Sequence, residues 1–139
     1  MSDQIQSVNS LAANDQGNIV FFSSLTSRET GLFGIDNGVI TKVNDLSGKA
    51  KINNLGLIAF QPSPNGAGIF ITSGADIKQV IAPGDSLLGS TVADIKFGGL
   101  NDAGEIAFVA SLTDGTKKIF RADPIRKPHS KHAKIQDQV

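Results

Sequence analysis

The chain reads as an all-β, antiparallel protein of three repeated units with about four short strands each, and three observations point there. The motif Asn-x-x-Gly-x-Ile-(Ala/Val)-Phe occurs three times without an internal gap, beginning at Asn14, Asn53 and Asn101. The copies start 39 and then 48 residues apart, a period that suits the four-stranded, β-propeller-like blades of radial arrays. Between them, short segments alternate with a period of two and break at Gly, Asn or Asp, while no stretch carries a helical period.

Each copy has the residues of a hairpin. A three-residue loop of this kind is a type I turn followed by one residue in the left-handed region. Asn at the first turn position accepts a hydrogen bond from the backbone two residues on. Gly three positions later reaches positive φ without a Cβ penalty. Asn14 with Gly17, Asn53 with Gly56 and Asn101 with Gly104 are therefore structural turn pairs. The Ile-Ala-Phe that follows starts a strand, placing Ile106 and Phe108 on one face and Ala107 on the other.

In order, residues 5–13 form a weakly alternating strand into the first turn, and residues 19–25 the strand leaving it. Gly31-Leu32-Phe33 opens a third strand, Asp36-Asn37-Gly38 is a hairpin signal, residues 39–43 return, and residues 45–51 are a polar connection. The second unit repeats this with strands at 57–61, 68–71 and 77–82, turns at Asn65-Gly66 and Ser73-Gly74-Ala75, and a loop over 83–91. Residues 92–100 lead into the third copy. There, 105–112 and 118–121 are strands around the Asp114-Gly115 turn. The domain thus spans 1–122, in units of roughly 5–45, 46–85 and 92–122. Residues 123–139, interrupted by Pro128, read as a basic, flexible tail. The strand after the third motif has no charge on either face, which suits sheets stacked face to face as neighbouring blades. A β-trefoil is the alternative, since it also uses three units of four strands.

Composition narrows the function classes. The 139 residues suit one domain. With no Cys there is neither a disulfide framework nor a thiolate metal site, and with no Trp or Tyr the usual sugar-stacking platforms are missing. Residues 1–122 hold nine Lys/Arg against eleven Asp/Glu, and the last seventeen residues hold four against two, with both histidines. No basic stripe interleaved with aromatics points to nucleic acid. No apolar run reaches membrane-spanning length, and residues 1–4 lack the start of a signal peptide.

With the three copies in view, the chain resembles the bacterial tandem-repeat proteins named for Asn-x-x-Gly-x-x-Ala-Phe. Val20 is the one departure at the named positions, and the match extends to Gly31-Leu32-Phe33, Gly68-Ile69-Phe70 and Lys118-Ile119-Phe120. The resemblance covers about residues 5–122. It implies propeller-like blades, in proteins that are often exported and surface-anchored, and brings no catalytic residue with it. Three blades are few for a propeller, which closes with four to eight. An unclosed wedge leaves two apolar faces for a longer array or a second copy to cover.

Candidate chemistry is sparse. Gly84-Asp85-Ser86-Leu87 matches a serine-hydrolase signature, but a hydrolase needs Ser86 beside a His base on an α/β scaffold. The histidines, His129 and His132, sit in the tail, where two imidazoles lack a third metal ligand. Asp15, Asp36, Asp102 and Asp114 are loop carboxylates, as Ca²⁺ would use; Asn54 breaks the pattern, and turn formation accounts for all of them. No catalytic, cofactor-binding or metal residue is expected. The expectation is a non-enzymatic module presenting loops to a protein or carbohydrate partner. A segment that self-assembles to complete a propeller is the alternative, and a hydrolase using Ser86 comes third. Compartment and ligand identity do not follow from these residues.

Overall fold

A computed structural model describes residues 5–25, 30–44, 48–62, 68–73, 76–124 and 133–137. It contains three antiparallel sheets, each an up-and-down meander in chain order. The first holds β1 (Ile5–Ala13), β2 (Ile19–Leu25), β3 (Thr30–Asp36) and β4 (Val39–Asn44). The second holds β5 (Gly48–Ile52), β6 (Ile58–Pro62), β7 (Ile69–Thr72) and β8 (Ile77–Ile81). The third has five strands: β9 (Ser86–Leu87), β10 (Ser90–Leu100), β11 (Ile106–Leu112), β12 (Lys117–Pro124) and β13 (Ala133–Asp137). Among the described residues there is no helix.

The sheets are layered in chain order, and the motif strand decides which side meets which neighbour. Alternation sends the motif Ile and Phe toward the preceding unit and the Ala or Val toward the following one. Val20, Phe22 and Leu32 of the first sheet pack with Ala50, Ile58 and Phe60 of the second. Ala59, Ile69 and Ile81 pack with Ile95, Ile106, Phe108 and Phe120 of the third. The first sheet's outer face carries its own small cluster, Phe21 and Phe33 flanked by Ile19 and Ile35.

The same aromatic pair recurs in each unit. The motif Phe stacks on the Phe of the next strand: Phe21 on Phe33 at 5.8 Å, Phe60 on Phe70 at 5.8 Å and Phe108 on Phe120 at 5.7 Å. All three pairs are directly opposed across their strands. Cross-strand aromatic pairs of this kind add to the burial of their surface.

Four expectations need correction. The polar connection 45–51 contains β5, because Ala50 is buried while Lys49 and Lys51 on either side are exposed, a two-residue period that a charge-rich composition hides. The loop 83–91 contains a tight hairpin joining β9 and β10, turned by Leu88 and Gly89 at φ 53° and 73°. Within the stretch read as a tail, Ala133–Asp137 pairs antiparallel with β12 and completes the third sheet, with Ile135 packed on the core. The third motif strand is covered on one face only: Ile106 and Phe108 are buried while Ala107 is exposed. The expected turns at Asn65-Gly66 and Gly74-Ala75 lie outside the described residues.

Candidate functional site

The three motif turns come together at one end of the stack. Each has the predicted conformation: Gly17, Gly56 and Gly104 sit at φ 86°, 85° and 82°. Their amides donate to the carbonyls of Asn14, Asn53 and Asn101 at 3.2, 3.1 and 3.0 Å. The Asn side chains hold the loops from within. Asn14 Oδ1 accepts from the amides of Gln16 and Asn18 at 3.0 and 2.9 Å. Asn53 Oδ1 likewise accepts from Leu55 and Leu57, and Asn101 Oδ1 from Glu105.

The other half of the Asn14 and Asn53 amides links one unit to the next. Asn14 Nδ2 donates to the Asn53 carbonyl at 2.9 Å, and Asn53 Nδ2 to the Asn101 carbonyl at 3.0 Å. A second rung runs beside it: the Asp15 amide donates to Asn54 Oδ1 and the Asn54 amide to Asp102 Oδ1. Asn54 Nδ2 also donates to Asp15 Oδ2 and to Asp102 Oδ2, both at 2.9 Å. The carboxylates weighed as calcium ligands are thus separated by an amide that satisfies both. Asn53, only 4 % exposed, is the buried centre of this ladder.

Asp36 and Asp114 stand elsewhere. Asp36 Oδ1 accepts from Asn18 Nδ2 at 3.0 Å. Asp114 Oδ1 accepts from the Thr116 amide, and this hydrogen bonding holds its carboxyl below the ordinary carboxylate range. Among the described residues no three His, Asp or Glu side chains gather closely enough to hold a metal ion.

Ser86 lies on the two-residue strand β9 and is exposed. Its neighbour Asp85 is turned inward, accepting from the Ala82 amide at 2.9 Å, so the carboxylate closes its own turn. His129 and His132 lie outside the described residues. The signature around Ser86 is here a hairpin entry, with Gly84 at φ 97°.

Three residues matter that motif spacing does not single out. Gln61, where the first unit has Phe22, reaches across to the third sheet: its Nε2 donates to the Ile95 carbonyl at 2.7 Å and its Oε1 accepts from the Phe97 amide at 3.0 Å. It lines a cavity of about 280 Å³ with Lys49, Asp94 and Lys96. Asn54 holds the two Asp apart. Leu55 occupies the third motif position, where the other copies have Gln16 and Ala103, and is 82 % exposed. A large apolar residue at this exposed turn position was the available signal.

Leu55 is not alone. In a meander the first and third turns of a unit share one end, as the contacts of Asn18 with Asp36 and the register of Ile58, Thr72 and Ile77 show. Val39, 64 % exposed just after the Asn37-Gly38 turn, and Ile77, exposed just after its own turn, therefore belong to the end that carries Leu55. Leu55, Val39 and Ile77 together make that end partly apolar.

Compared with protein-family models, curated proteins and solved structures, the chain finds no match. Among the described residues no helix is long and apolar enough to cross a membrane.

Proposed function

We propose that the chain is a non-enzymatic β-repeat module whose turn-bearing end is the contact face for a protein partner. The observation that carries this is the exposure of Leu55, Val39 and Ile77 at the end where the ladder holds the turns rigid. Large apolar side chains on ordered turns are a recognition device, since the scaffold limits the entropy lost on binding. A carbohydrate partner is less favoured, because sugar faces stack on Trp and Tyr, and the chain has neither. The Ser86 hydrolase reading loses support, because the Asp85 carboxylate is engaged by the Ala82 amide.

Propeller-like blades, as in the Asn-x-x-Gly-x-x-Ala-Phe repeat proteins, describe the architecture better than a trefoil. A trefoil pairs strands of different units in a shared barrel, whereas here every described strand pair lies within one unit. A displayed random-peptide library selected on the wild-type chain tests the contact face. The selected peptides are expected to bind Leu55→Ser about tenfold more weakly, as for a central apolar anchor, at an unchanged melting temperature. Equal binding to both proteins would remove this end as the contact face.

A further inference from the structure

The two junctions between units follow one rule, and the third sheet ends with that rule unfulfilled. On the side facing the next unit, equivalent positions are Val20, Ala59 and Ala107 on the motif strand, and Leu32, Ile69 and Ile119 on the strand after it. In the first two units all of these are at most 1 % exposed, sealed by the following sheet. In the third, Ile119 is 46 % exposed, Ala107 is exposed and Val109 between them is half-buried.

The ladder stops at the same place. The Asp15 and Asn54 amides each donate to the side chain one unit on, but the Asp102 amide has no partner among the described residues. Asn101 Nδ2 donates within its own turn, to Glu105 Oε1 at 2.8 Å, as Asn14 Nδ2 does to Asn18 Oδ1, but among the described residues it makes no second bond to a following unit. The first unit shows the complementary vacancy. The Asn53 and Asn101 carbonyls each accept two hydrogen bonds, one from the turn glycine and one from the preceding Asn, whereas among the described residues the Asn14 carbonyl accepts only from Gly17.

We infer that the exposed face of the third sheet docks the outer face of the first sheet of a second copy, head to tail, extending the ladder across the junction. This rests on the repeat-scaffold reading above and names one partner for it. Asn101 Nδ2 would meet the copy's Asn14 carbonyl, and the Asp102 amide its Asp15 carboxylate. On the receiving face Phe21 and Phe33 are already sealed, and the exposed side chains that share their side include Val8, Leu11 and Ile40, in register with Ser23, Phe21 and Ile35, together with Lys42 opposite Phe33. Ala107, Val109 and Ile119 therefore meet Leu11 and Ile40. Applied at both ends, the contact joins two chains and six sheets, within the number that closes a propeller.

The junction differs from the internal ones in charge. Inside the chain an Asn always faces an Asp, because Asn54 stands between Asp15 and Asp102. Between copies Asp102 faces Asp15, and like charges so placed weaken association. This gives a variant whose sign depends on the orientation. Asp15→Asn restores the internal pairing at the junction and is expected to tighten association about tenfold, the scale of one relieved charge contact. Ile119→Lys puts a charge into the docking face and is expected to weaken it at least as much.

Sedimentation equilibrium across the micromolar range, with far-ultraviolet circular dichroism to establish folding, reads all three proteins. The expected result is a concentration-dependent mass between 14.5 kDa and twice that value, shifted up by Asp15→Asn and down to one chain by Ile119→Lys. A single-chain mass for both wild type and Asp15→Asn overturns the inference, as does a dimer indifferent to Ile119→Lys. A dimer that Ile119→Lys dissolves but Asp15→Asn leaves unchanged overturns the head-to-tail orientation, since third sheets docked on each other would not involve Asp15. Mass is read without the peptide ligands of the Leu55 test, so either idea can fail alone.

Discussion

Gly17 and Gly104 occupy the same position in the same turn, at nearly the same φ, yet their surroundings differ. A Cβ on Gly17 would meet nothing within 4 Å, while a Cβ on Gly104 would lie 3.0 Å from Pro124 Cγ and 3.8 Å from Leu57 Cδ2. Gly17→Ala therefore isolates the backbone term and is expected to cost about 1 kcal/mol, as for Ala held at positive φ. Gly104→Ala adds the crowding against Pro124 and is expected to cost more. Urea unfolding followed by circular dichroism suits a chain with no Trp or Tyr, and equal costs at the two sites would contradict the crowding argument. At this scale most of the design is visible in the sequence, because turn chemistry is local: Asn14, Asn53 and Asn101 and their glycines announce the bend through spacing alone. What spacing does not announce is that the Asn amide works twice, its oxygen inside the turn and its nitrogen on the next unit. The second task depends on a neighbour about 40 residues away.

Strand by strand, the repeat is less regular than its motif, and Gly68 shows why. It opens the third strand of its unit, as Gly31 does in the first, but Lys118 stands there in the last. A Cβ on Gly68 would lie 2.1 Å from the Ile81 carbonyl oxygen and 2.8 Å from Ala82 Cα, so β8 leaves no room for a side chain. The first two units share a register shift at this point, between Leu32 and Phe33 and between Ile69 and Phe70. Gly68→Ala is expected to destabilise by about 2 kcal/mol, in the range for overpacking a closed site. A neutral result would show that β8 shifts freely, contrary to the burial of Ile81. The strands missed in the sequence, β5, β9 and β13, are short and largely polar, and the packing of Ala50, Leu87 and Ile135 appears only beside their partners.

Across the whole molecule, the faces at the two internal junctions are shared, so the apolar side chains there are buried by two units together. Phe22 lies in the first junction and Phe108 in the second, both at most 1 % exposed. Truncating either to Ala is expected to cost about 3–5 kcal/mol, as for a large buried aromatic. Both losses should appear as a lower midpoint of one and the same unfolding transition. Two separable transitions, one sensitive to Phe22 and the other to Phe108, would mean that the junctions do not couple the units. Arrays of repeats owe their stability to such nearest-neighbour faces, and here the ladder adds a polar connection to each.

The sequence by itself determined the strand class, the number of units, the three bends and that Ile and Phe share one face of each motif strand. These follow from interactions within a few residues: a side-chain amide on its own backbone, a glycine at positive φ and a two-residue period. Only the tertiary structure decided that Asn54 separates Asp15 from Asp102, that Gln61 reaches β10, that Leu55, Val39 and Ile77 share one end, and that Ile119 stands open where Leu32 and Ile69 are sealed. Each of these depends on which sheet lies next to which, and that order is set by packing between distant segments rather than by the spacing of residues along the chain.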